Sequence, residues 1–218
     1  MKQAETYILD SLNKIKYGET TKTWDVSNDI TINWKGVLPL PPANNSETTR
    51  KELHYIHELT ENRTAEQIDL IKLVDEEPLD LYYKILKRHG LKMPQDIFDK
   101  AYKLVYPVVM NLKWKYNRPR PEQLAEKYGI ELKVIHTKSA KTPSYPSGHT
   151  CYGALGAYVL ASAYPEYSGE FFGVVSDVGM ARMLQGVHYP SDNEASMVIT
   201  GALWEDIRYR LFPELENF

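Results

Sequence analysis

Residues 145–160 read Tyr145-Pro146-Ser147-Gly148-His149-Thr150-Cys151-Tyr152-Gly153-Ala154-Leu155-Gly156-Ala157-Tyr158-Val159-Leu160, and the junction inside that stretch decides the fold. A proline stop, a hydroxyl, a small residue and an imidazole lead into a small and apolar run, which predicts a buried helix starting close to Ser147. The backbone N–H groups of Ser147, Gly148 and His149 then lie at or near a helix N-terminus. They lack intrahelical acceptors there, and the helix dipole favours an anion beside them. The same five residues also read as a plain turn with an N-cap serine. Two groups of residues elsewhere tip the choice towards an anion site.

Working outward, helical signals dominate. Tyr7, Ile8, Leu12 and Ile15 recur at helical spacing in a first segment that ends near Gly18. From Glu19 to Asn45 the period is lost. Asp29 to Trp34 alternates like a short strand, and Leu38-Pro39-Leu40-Pro41-Pro42 is an extended strip whose apolar neighbours need burial, so this part predicts an ordered wrap. Ser46 opens a helix carrying Leu53, Ile56 and Leu59. Thr64 with Gln67 forms a capping box for the next, which Pro78 stops. Leu79 to His89 predicts a short helix ended by Gly90, and Pro94 starts a long one through Leu112, bent at Pro107. Glu122 to Tyr128 is another short helix, and Glu131 to Ile135 is compatible with extended chain. After the central helix come one from Ser168 to Leu184 and one from Ser191 to about Leu211, with Ser191 and Glu194 as a capping box. The expected fold is all-α, a single-domain helical bundle, with a wrap over about 1–45 and a catalytic core over about 46–218.

Composition narrows the partners. The 218 residues suffice for a sizeable core, and 43% hydrophobic with 25% charged residues is ordinary for a globular chain. A net charge of -3 gives no reason to expect nucleic acid or a membrane surface as partner. Residues 142–165 are nearly free of formal charge, but their prolines, glycines and hydroxyls make a poor membrane span. The one cysteine, Cys151, has no internal partner and is expected in the core. Met1 to Thr6 lacks the basic start and apolar run of an export signal, so a cytoplasmic location is expected.

The first of the two deciding groups is Arg182, His188 and Asp192, set between two helices with Gly186 and Pro190 breaking the chain. A carboxylate four residues after a histidine can fix its tautomer and leave the other ring nitrogen free as nucleophile or base. Equally, Asp192 could simply favour its helix N-terminus while His188 sits at the surface. The second group is Lys113 with Arg120, near the C-terminal end of the long helix, where basic residues also meet the dipole. Taken with Ser147, Gly148 and His149, these residues supply cations, neutral donors, two imidazoles and a carboxylate. That inventory suits phosphoryl transfer, in which charge spreads over three oxygens. There is no HExxH string, no Cys-His metal spacing and no Walker loop.

Lys113, six residues, Arg120-Pro121; then Pro146-Ser147-Gly148-His149; then Arg182, five residues, His188, three residues, Asp192: this order and spacing resembles the type 2 phosphatidic acid phosphatase and vanadium haloperoxidase superfamily. Ser144 to Thr150 is similar to the signature of bacterial class A non-specific acid phosphatases, as is the proline-rich strip at 38–42. The chain departs from the pattern at Ala181, usually serine, and Pro143, usually glycine in those phosphatases. The resemblance implies an all-helical core. It also implies His188 as a nucleophile forming a phosphohistidine, Asp192 as its orienting partner and His149 as general acid, with Lys113, Arg120, Ser147, Gly148 and Arg182 binding phosphoryl oxygens. Family spacing selects Arg120 over Arg118, so Arg118→Ala is expected to cost much less than Arg120→Ala. The implied activity is a metal-independent phosphatase needing no cofactor and taking small soluble phosphate monoesters or diphosphates. The alternative is a haloperoxidase that holds vanadate in the same site. The acid-phosphatase likeness further suggests a homo-oligomer.

Overall fold

Ser46 begins the first described helix, its hydroxyl accepting the Thr49 N–H at 3.1 Å, a cap that stabilises a helix by about 1 kcal/mol. In the computed structural model, which describes residues 11–34, 36–213 and 215, this helix is α1, Glu47–Glu61. Helix α2, Ala65–Glu76, starts at Thr64, which forms the expected reciprocal box with Gln67. Helix α3, Asp80–His89, ends on Gly90 at φ 68°. Helix α4 runs from Gln95 to Tyr116 with Pro107 inside it, and stops where Asn117 turns left-handed at φ 48°. A short α5, Pro121–Ala125, continues as a 3-10 turn to Tyr128. Helices α6, Gly148–Ala163, α7, Ser168–Leu184, and α8, Pro190–Leu211, complete the set.

Helix α6 is the central element. Cys151, Ala154, Leu155, Ala157, Val159 and Leu160 are buried on all its sides, the pattern of a helix enclosed by others. Helices α4, α7 and α8 pack against it. Its small residues set the distances. Tyr82 of α3 donates its hydroxyl to the Gly153 carbonyl at 2.8 Å, and a Cβ at Gly156 would meet the Tyr82 ring at 3.0 Å. A second apolar cluster, Leu53, Ile56, Leu124 and Tyr189, joins α1 and α5 beneath the start of α8. The architecture is all-α, as expected, and no strand occurs among the described residues.

Residues 11–34 and 36–45 lie along the helices and are tied to them. Trp24 and Asn111 exchange two hydrogen bonds of 2.8 Å, Asn117 donates to the Gly18 carbonyl at 2.7 Å, and Ile30, Ile32, Trp34 and Leu38 pack on the main core. Of the helix expected over Tyr7, Ile8, Leu12 and Ile15, the first two lie outside the described residues, and residues 11–12 are helical and run into a turn.

Two local expectations give way. Asp29 to Trp34 and Glu131 to Ile135 do not become strands, because neither has another strand to pair with. Asp206 takes the Thr31 N–H at 2.7 Å, and the Gln185 carbonyl takes that of Ile135 at 3.1 Å. The box at Ser191 and Glu194 does not form, since α8 begins earlier, with Tyr189 as N-cap and its N–H held by the Asp192 carboxylate at 3.0 Å. No described helix is long and apolar enough to cross a membrane.

Candidate active site

His188 is placed by a turn that only a residue tolerant of left-handed backbone makes easily. Gly186, at φ 84°, closes the end of α7 with its N–H on the Met183 carbonyl at 2.9 Å, and the Val187 N–H returns to the Arg182 carbonyl at 3.2 Å. The chain then delivers His188, turns at Pro190 and sets Asp192 in the first turn of α8. Both residues are buried. His188 Nδ1 lies 3.0 Å from Asp192 Oδ2, while Nε2 lies 2.8 Å from Arg120 Nη1. A guanidinium nitrogen can only donate, so Nε2 must be the acceptor and Nδ1 carries the proton to Asp192. Burial first, then the Arg120 charge, push the His188 pKa well below the ordinary histidine value. His188 is thus neutral, with a lone pair on Nε2.

Asp192 is held ionised by its surroundings. Burial works to raise its pKa, but Arg118 and the hydrogen bonds from His188 and Ser144 keep it well below the usual carboxylate range. Arg118 Nη1 donates to Oδ1 at 2.6 Å, and Nη2 donates to Glu52 of α1 at 3.0 Å. The guanidinium lies over the Tyr189 ring, 3.8 Å from its centroid. Glu52 in turn accepts the Ser191 N–H at 2.7 Å. The sequence set Arg118 aside in favour of Arg120 as the phosphate-facing arginine, and the structure gives it a different place. It is buried beneath the His188-Asp192 pair and is the cation on which Asp192 depends.

Lys113 and Ser147 are also placed differently from the expectation that both face a phosphate. Lys113 Nζ is buried and donates to the carbonyls of Pro143 at 2.9 Å, Pro146 at 2.5 Å and, more weakly, Ser144 at 3.4 Å. Three acceptors engage all three N–H bonds of an ammonium, so Lys113 shapes the 143–146 turn and contributes charge from beneath it. Burial and the Arg120 charge pull its pKa well down. Ser147 caps α6, its hydroxyl facing the Thr150 N–H at 3.4 Å and the Thr150 hydroxyl at 2.9 Å. Its own N–H donates to the Asp192 carbonyl at 3.2 Å, so only the Gly148 and His149 N–H groups lack protein acceptors at this helix start among the described residues.

Arg120 binds the Thr142 carbonyl at 2.9 Å through Nε and the Val187 carbonyl at 2.8 Å through Nη1, leaving Nη2 without a protein acceptor among the described residues. Burial, followed by the nearby Arg182 charge, lowers its pKa to about 10. Arg182 donates Nη1 to Asp75 at 2.7 Å and Nη2 to Ser139 at 2.8 Å, and its Nε is buried without an acceptor. His149 is pushed down to about 3 by burial first and the Arg182 charge second.

These groups meet at a cavity of about 390 Å³. Lys113, Arg120, Gly148, His149, Arg182 and His188 form its floor, with Ser147 and Asp192 behind it. Leu79, Tyr102, Val105, Tyr106, Val109 and Tyr152 form an apolar and aromatic wall, and Asp75, Glu76 and Glu77 stand at one side. The sequence nominated every floor residue. It did not nominate Arg118, Glu52, Ser144 or Asp75. For Arg118 the repeated Arg-Pro at 118–121 did put both arginines in play, and family spacing then selected Arg120. Glu52 and Asp75 meet partners 62 or more positions away and carried none.

An all-helical core with a cationic, imidazole-lined cavity at a helix N-terminus is an arrangement whose charge and free N–H groups suit an anion. The chain belongs to the PAP2 superfamily, whose sequence profile matches residues 101–213. It is 42% identical over 77 residues to the non-specific acid phosphatase of Salmonella typhimurium, a match covering 35% of this chain and 30% of that protein. It is 34% identical over 91 residues to the non-specific acid phosphatase of Providencia stuartii, covering 40% and 35%. A lipid A 1-phosphatase of Rhizobium etli is 34% identical over 92 residues, covering 41% and 38%. The aligned region thus spans about a third of the length of each of these relatives.

Proposed function

We propose that this chain is a phosphatase that hydrolyses small phosphate monoesters through a phosphohistidine at His188. The observation that carries this reading is the His188 tautomer: Nδ1–H on Asp192 and an unprotonated Nε2, facing an Arg120 donor, at the edge of a cationic cavity. Nε2 attacks phosphorus as the bond to the leaving oxygen breaks, and Asp192 offsets the positive charge that appears on the ring. Arg120 Nη2 and the Gly148 and His149 N–H groups supply hydrogen bonds to the phosphoryl oxygens. Arg182 and Lys113 add charge from the cavity floor. His149, neutral in the free site, takes up a proton when the phosphate dianion adds its negative charge to the cavity, gives it to the leaving oxygen, then takes one from the water that cleaves the phosphorus–nitrogen bond and releases phosphate. Family membership and relatives named as phosphatases support the reading. Vanadium haloperoxidase chemistry, the alternative that the sequence resemblance allows, gains no support from them.

All the phosphoryl charge is met here by arginine, lysine and backbone groups, so phosphate release should survive chelation. An assay over alkyl, aryl and diphosphate substrates with and without EDTA tests both the activity and its independence of metal. Loss of release in EDTA that added magnesium or zinc restores would defeat the metal-independent mechanism, and silence on every substrate would defeat the reading.

The role of His149 gives a second expectation. A proton donor is worth roughly 10²- to 10⁴-fold when the leaving group is a poor alkoxide, and less when it is p-nitrophenolate. His149→Ala should therefore reduce alkyl phosphate hydrolysis far more than p-nitrophenyl phosphate hydrolysis. Equal losses on the two substrates would remove His149 from that role.

A further inference from the structure

Asp75 belongs to none of the three sequence groups, yet it touches two floor residues through two different atoms. It is the penultimate residue of α2. Its carboxylate accepts Arg182 Nη1 at 2.7 Å and the Thr137 hydroxyl at 2.9 Å, and also the Ser139 hydroxyl. Ser139 closes the group by accepting Arg182 Nη2 at 2.8 Å. The backbone carbonyl of Asp75 lies 3.4 Å from His149 Nε2, a contact in which the ring N–H donates. The Asp75 and Arg182 side chains are 7% and 1% exposed, so solvent screens the pair little.

We propose that Asp75 is a positioning residue of this site, its carboxylate aiming Arg182 and supplying the counter-charge for protonated His149, its carbonyl holding Nε2–H so that Nδ1 delivers the proton. The proposal rests on the phosphatase reading above. A carboxylate beside the pocket for a phosphate dianion opposes binding, because it repels the dianion and competes for Arg182. Its presence is understandable if orientation and proton supply limit turnover. Of the charged groups that act most strongly on His149, namely Asp75, Arg182 and Lys113, Asp75 is the one that favours the imidazolium, and Glu76 and Glu77 line the same cavity beside it. Removing that negative charge must lower the proton affinity of His149 further, so the ring loses its proton at lower pH. It should also free Arg182 for the anion. A residue that merely filled space would produce neither change.

The test compares Asp75→Asn and Asp75→Glu with the natural protein in the full chain. His149 is titrated by imidazole NMR, free and with saturating inorganic phosphate, and kcat and KM are measured on an alkyl phosphate. In Asp75→Asn the His149 midpoint should fall by about one pH unit, the size of a neighbouring-charge effect, and the alkaline limb of kcat should move the same way. Its kcat should drop roughly 10-fold or more, with KM and the inhibition constant of phosphate unchanged or lower. Asp75→Glu, which keeps the charge, should keep the natural His149 midpoint. An unmoved midpoint in Asp75→Asn, a raised KM with kcat preserved, or failure of that variant to fold would each overturn the proposal. The titration of the free protein needs no turnover, so an inactive natural protein would defeat the phosphatase reading while still deciding the role of Asp75.

Discussion

His188→Ala should abolish phosphate release from alkyl and aryl esters alike, and rapid acid quench should trap no acid-labile phosphoprotein. The expectation follows from the bonding at this ring. Arg120 points a donor at Nε2 and Asp192 accepts from Nδ1, so the imidazole is fixed in one tautomer with its lone pair turned to the cationic side. Among the described residues of the cavity floor, the other imidazole, His149, is held by the Asp75 carbonyl and is pushed down to about 3 by burial and Arg182. A good leaving group can spare the proton donor, but no leaving group can spare the attacking atom, so both substrates should fall to the background rate. A phosphoprotein that still accumulates in His188→Ala would move the nucleophile elsewhere.

Arg118→Ala should be the costliest change to stability outside the apolar core. Arg118 is the cation between two buried carboxylates, Asp192 at 2.6 Å and Glu52 at 3.0 Å. Removing one partner of a buried ion pair leaves the other uncompensated, at about 3–5 kcal/mol, whereas replacing the whole group with apolar residues is often nearly neutral. Urea unfolding of Arg118→Ala should show a loss in that range, and a Glu52→Gln substitution in the same chain should recover part of it. Activity should fall as well, because Asp192 would no longer be fixed against His188. A loss below about 1 kcal/mol, the range of an exposed pair, would mean that Arg118 is not the buried hub described here.

What the sequence could disclose of this site depended on the distance between partners. His188 and Asp192 are four positions apart at the start of one helix, and Ser147, Gly148 and His149 begin another, so spacing made them candidates and the family resemblance supplied their roles. The helices followed from caps such as Ser46, Thr64 and Gly90. The orientation of Lys113 was hidden, because nothing in a helical period tells whether an ammonium meets an anion or three carbonyls. Glu52 sits beside Leu53 on α1 and reads as a polar neighbour of an apolar face. Its value becomes visible only when α8 arrives with Ser191, 139 positions later. Asp75 was hidden for the same reason, since Arg182 and Ser139 reach it from two remote segments.

Much of the cavity wall comes from a stretch of one helix that carries little of the floor. Most groups suited to chemistry stand at the ends of α4, α6 and α7 and on the turns beside them, whereas Tyr102, Val105, Tyr106 and Val109 project from the body of α4. On the proposed phosphatase reading, much of the substrate preference can therefore change without the reacting groups. Exchanges along one face of a single helix can retune which alcohol is accepted, a route for divergence in nature and a compact target for a directed library.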